Sequence, residues 1–118
     1  MNLAGTRREE VFRVRCVHIG RDACLYKDTW HYKIVKDHAE VRSKIGFIKD
    51  TLEKQNSAIT KFRKKRNHEE IAIFRECQDF MPYYRYLKIG LKILDANLAV
   101  VTTVHGQHSA PPKDMEPI

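Results

Sequence analysis

The apolar positions of the chain recur at two different periods. Over residues 10–19, "EVFRVRCVHI", they alternate. Phe12, Val14 and Cys16 share one side and Arg13 and Arg15 the other, the mark of a half-buried strand. "GRD" then turns the chain, and "ACLY" is a short returning strand. The period then lengthens. Asp28 suits an N-cap, and a helix is predicted from about Thr29 to Asp37, anchored by Trp30 and Ile34. A second helix is predicted from about Arg42 to Gln55, with Val41, Ile45, Ile48 and Leu52 facing inward.

After "KQNS" alternation returns. "AITKF" and "EIAIFREC" are strands, the second with Ile71, Ile73 and Arg75 on one side. "YYRYLKIGLKIL" sends Leu87, Ile89, Leu91 and Ile93 one way and Tyr84, Tyr86, Lys88 and Lys92 the other. "DAN" turns the chain and "LAVVTTVH" returns as a hairpin. Leu98, Val100 and Val104 suit its core side, with Val101, Thr103 and His105 opposite. The expected fold is α+β: two N-terminal helices packed on one face of an antiparallel four-stranded sheet, with an additional N-terminal strand or hairpin. Residues 1–8 read as a flexible N-terminus, 9–106 as one folded domain, and 107–118 as a flexible tail with three prolines.

Composition narrows the partners. The 118 residues carry 22 Lys and Arg against 15 Asp and Glu, a net charge of +7. A small basic domain tends to meet a polyanion. Lys61, Arg63, Lys64, Lys65 and Arg66 concentrate that charge in "KFRKKRNH", which is either a sequence-blind clamp on RNA phosphates or a solvated loop. No apolar run is long enough for a membrane span, and the N-terminus has no signal-peptide core. Cys16, Cys24 and Cys77 are odd in number and without metal-type spacing, which reads as reduced thiols in the cytoplasm. No zinc spacing and no carboxylate cluster of a two-metal nuclease is visible, so no metal or cofactor is expected.

The stretch "WHYKIVKDHAEV", Trp30 to Val41, resembles a motif of small bacterial and phage nucleases: Trp, two residues, His-Ile, then His-Pro-Glu. That group is the barnase–EndoU–colicin–RelE-like superfamily, in particular its phage-associated branch. "IKDTLEKQNSAI" resembles its second helix leading into the sheet, and "YLKIGLKIL" with "LAVVTTVHG" its closing hairpin. The likeness spans roughly residues 9–106. Lys33 stands where the group has its first His, and Ala39 where it has Pro. The resemblance implies a metal-independent endoribonuclease, often deployed as a toxin against cellular RNA and neutralised by an antitoxin or immunity protein. The two departures keep a second reading open: a non-enzymatic module of the same fold that binds nucleic acid or protein.

Cleavage of RNA by its own 2′-hydroxyl needs a base, an acid and positive charge at the phosphate. His serves the first two near neutral pH, and Lys or Arg the third. The candidates are His38, which matches the motif, and His105 on the predicted open sheet face, with Lys88, Arg75 and Thr103 for the phosphate. Each has a plain structural alternative: a helix-junction or strand-end His, a solvated Lys, a salt-bridged Arg, a β-branched strand residue. Lys33 is a further cation for RNA, and Tyr86 either stacks on a base or packs across strands.

Overall fold

A computed structural model describes residues 8–109 and 113–118. The strands are β1 (Glu10–Cys16), β2 (Arg21–Tyr26), β3 (Ile59–Lys64), β4 (Glu70–Glu76), β5 (Tyr86–Ile93), β6 (Leu98–Gln107) and β7 (Met115–Pro117). They form one seven-stranded sheet in the order β1-β2-β6-β5-β4-β3-β7. This corrects the expected four-stranded antiparallel sheet. β3 to β6 pair antiparallel in sequence order, but the N-terminal hairpin joins the same sheet through a parallel pairing of β2 with β6. The sheet is therefore mixed. Alternation sets which face a residue takes and says nothing about which strand lies alongside.

The helical layer also differs. α1 covers residues 27–37, and its middle, Trp30–Ile34, is π-helical, with the Val35 N–H bonded to the Trp30 carbonyl. A separate 3-10 turn, Ala39–Val41, follows. α2 is Ile45–Glu53, shorter at both ends than its apolar period suggests. Asp28 lies within the first turn of α1 instead of capping it, and its carboxylate takes the Arg8 guanidinium at 2.7 Å. Residues 1–7 of the expected N-terminal tail lie outside the described residues.

One sheet face carries Phe12, Leu25, Ile73, Leu87, Ile89, Leu91 and Val104, packed against Trp30, Ile34, Val41, Ile48 and Leu52 of the helical layer. The strand register shifts twice, between Glu10 and Phe12 in β1 and between Gly90 and Leu91 in β5. Gly90 pairs with Thr103 but Leu91 with Val101, so an extra residue bulges out of β6. Val101 and Val104 both reach the core in consequence, and Val100 falls opposite Lys92, reversing the expected sides of Val100 and Val101. Gly90 is required here: a Cβ at that position would lie 2.7 Å from Thr103 Cγ2.

The opposite face has a smaller apolar cluster in which Phe62, Tyr86 and Met115 cover Ala72 and Phe74. Met115 comes from the expected tail. Its short strand β7 pairs with β3 and continues the sheet, because burial of one Met on Phe74 supplies what the Pro-rich sequence lacks in periodicity.

Candidate functional site

α1 ends at His38, whose backbone N–H bonds the Ile34 carbonyl at 2.8 Å. The end of the helix thereby projects His38 over the end of β6. The His38 and His105 ring centroids are 4.8 Å apart, with the planes inclined at 31°. Glu40, in the 3-10 turn, binds this junction together. Its Oε2 accepts from the Gly106 N–H at 3.0 Å and lies 3.7 Å from His38 Nδ1. Lys88 pairs with His105 directly across β5 and β6, and Thr103 lies two residues along on the same face.

His105 Nδ1 lies 2.9 Å from the Gly106 carbonyl oxygen. A carbonyl only accepts, so Nδ1 carries the proton. The neutral ring then presents Nε2 as a free base. Burial holds the His105 pKa below the usual imidazole value; Lys88 and His38 act the same way, and the Gly106 carbonyl and Glu40 oppose them. Burial also lowers the Lys88 pKa, reinforced by Lys64 and opposed by Asp114. A half-desolvated ammonium gains most from an arriving anion.

The sheet separates the remaining candidates. Arg75 faces the helical layer, 8 % exposed, on the opposite side of the sheet from Lys88 and His105. Its Nη1 donates to Asp50 at 2.9 Å and to the Thr51 hydroxyl at 3.0 Å, and its guanidinium lies 4.3 Å over the Phe47 ring. Lys61 and Arg63 share that side, Lys61 donating to the His18 carbonyl and Arg63 facing Glu116. Lys64 points to the open face, 3.2 Å from Glu70. With Lys65, Arg66 and Lys113 it lines a basic hollow of about 450 Å3. Tyr86 meets the Phe74 ring edge-on at 6.2 Å, with the Arg85 guanidinium over its own ring. Lys33 is exposed on α1.

Sequence reasoning missed three contributors. Glu40 follows His38 by two residues inside the quoted motif, which was the signal for it. Tyr84 and His108 stack at 5.3 Å beside Gly106, and no pattern in the sequence announces that contact. Among the described residues no group of three or more His, Cys, Asp and Glu side chains converges as a metal site, and no helix is long and apolar enough to cross a membrane. The three cysteines are buried free thiols.

No family model matches the chain, and no match is found among curated proteins or solved structures.

Proposed function

We propose that the protein is a metal-independent endoribonuclease that cleaves RNA by attack of the 2′-hydroxyl on the adjacent phosphate. The observation that carries this reading is the contact of the two imidazoles, with Lys88 directly across the strand pair from His105. His105 Nε2 takes the proton from the 2′-oxygen as it attacks phosphorus. His38, beside the Glu40 carboxylate, gives a proton to the departing 5′-oxygen. Lys88 meets the charge that grows on the non-bridging oxygens, and Thr103 offers a hydroxyl on the same face. The products are a 2′,3′-cyclic phosphate and a free 5′-hydroxyl, so atoms and protons balance without a bound cofactor. Lys64, Lys65 and Arg66 extend the positive surface for the flanking phosphates. Deployment as a toxin in the cytoplasm, with an antitoxin or immunity protein as partner, rests on the family resemblance.

The test is incubation of purified protein with total RNA in EDTA, beside His38→Ala, His105→Ala and Lys88→Ala. The parent cleaves, and each His variant loses on the order of 10²–10⁴-fold, the usual share of general acid–base catalysis. Cleavage unchanged in all three variants would discard this site. Absence of cleavage with salt-sensitive RNA retention would favour the non-enzymatic binding module, the reading that Lys33 and Ala39 keep open.

A further inference from the structure

A second concavity lies beside the histidine pair and shares Glu40 with it. It holds about 240 Å3, and the loop between β4 and β5 forms its wall through Phe80, Pro82 and Tyr83, with Lys44 at the rim. Tyr83 is 86 % exposed and Phe80 50 % exposed. The loop that carries them is firmly held. Lys44 Nζ donates to the Phe80 carbonyl at 3.0 Å, and the Phe80 and Met81 N–H groups bond the Cys77 carbonyl. The Phe80 ring lies 4.3 Å from Phe47, which in turn covers Arg75. Tyr84 is fixed against Gly106, where a Cβ would come within 2.4 Å of its ring. The Phe80 and Tyr84 rings are thus set in place before any ligand arrives, and Tyr83 stands exposed between them in sequence.

We propose that this concavity is a nucleobase subsite, taking the base of the nucleotide next to the cleaved linkage. Base faces stack on aromatic side chains irrespective of sequence, and an acceptor at the edge adds selection. Tyr83 and Phe80 supply the stacking surface. Glu40 spends Oε2 on the Gly106 N–H and offers its carboxylate edge to a base N–H donor. The volume is below the ~300–1,000 Å3 of clefts for larger ligands, which suits a single ring system. Glu40 lines this concavity and lies 3.7 Å from His38, and that adjacency favours a base over an apolar peptide side chain, since a neighbouring nucleotide then carries its phosphate toward the histidine pair. The inference rests on the ribonuclease reading and deepens it.

The experiment measures binding of each nucleoside 3′-monophosphate, and of ribose 5-phosphate as the baseless control, by calorimetry on the full chain. Parent, Tyr83→Ala and Tyr83→Phe are compared; the exposure of Tyr83 makes both substitutions harmless to folding. The subsite predicts that at least one nucleotide binds at least about tenfold tighter than ribose 5-phosphate. It also predicts that Tyr83→Ala removes the difference and Tyr83→Phe keeps it. Equal binding of nucleotide and control by the parent overturns the proposal, as does a difference that survives in Tyr83→Ala. A base-dependent difference in a protein that never cleaves RNA would keep the subsite and sink the ribonuclease.

Discussion

Arg75→Ala separates structure from chemistry at a residue that the sequence offers for both. The side chain makes two charge-assisted contacts, to Asp50 and to the Thr51 hydroxyl, and covers the Phe47 ring. Breaking a buried ion pair costs ~3–5 kcal/mol when the partner is left alone. Asp50 is not left alone, because Lys54 Nζ stays 2.7 Å away and the carboxyl side chain is 34 % exposed. The ionic part therefore falls to the low end, about 1.5–2 kcal/mol. Loss of the cation over Phe47 adds about 0.5–1 kcal/mol, for a total of about 2–3 kcal/mol. With a urea slope of about 2 kcal/mol/M, the midpoint drops by about 1–1.5 M. Arg75→Met, which keeps the stem, recovers part of this. In a cycle with Asp50→Asn the two substitutions are less than additive. RNA cleavage by the folded variant stays within about tenfold of the parent, since Arg75 faces the helical layer and reaches the proposed base subsite only through the Phe47 and Phe80 rings behind it, while His105 and Lys88 lie on the other face. Unchanged stability with a hundredfold loss of kcat/KM would refute this placement.

Three further outcomes follow from the same geometry. Because the folded-state pKa of His105 is lowered, the unfolded chain binds the extra proton, so stability from this group is present above pH ~6.5 and is lost as pH falls below it; the His105 resonance in an NMR titration moves at a pH below the unfolded value, and Lys88→Gln shifts that midpoint upward. Gly106→Ala forces the Tyr84 ring aside and destabilises the fold by ~1–3 kcal/mol in chemical denaturation, with a parallel loss of cleavage as the carbonyl that orients His105 is disturbed. Replacing Lys64, Lys65 and Arg66 by Gln lowers the slope of log K against log salt for single-stranded RNA by about 2, whereas Lys61→Gln with Arg63→Gln leaves it nearly unchanged because both side chains serve contacts on the helical side.

Face assignment along the sheet was legible wherever alternation was uninterrupted. Leu87, Ile89 and Leu91 fall inward and Lys88 outward as their spacing requires. Phase failed at the bulge beside Gly90, because a glycine that admits Thr103 is indistinguishable in sequence from one that merely weakens a strand, and at Tyr84, which precedes β5 and packs on the main core instead of beside Tyr86. The parallel union of β2 with β6 was hidden for another reason: "ACLY" is short and apolar, and nothing in it selects a neighbour. β7 was hidden because three residues cannot display a period. At the site, His38 came from the motif and His105 and Lys88 from alternation, but their meeting depends on a π-helical turn and a 3-10 turn that no pattern announces. Arg75 shows the limit of charge as a signal. An arginine among isoleucines is as well explained by Asp50 beneath it as by a phosphate above it.

The most direct test of the account uses an RNA oligonucleotide with a single cleavable linkage and its counterpart carrying 2′-deoxyribose at that one nucleotide. Both are incubated with the protein in EDTA, and the ends are identified by mass spectrometry. Attack by the 2′-oxygen under His105 and His38 predicts a 2′,3′-cyclic phosphate from the first and no cleavage of the second. Cleavage of the deoxy substrate, or products ending in a 3′-hydroxyl and a 5′-phosphate, would contradict it.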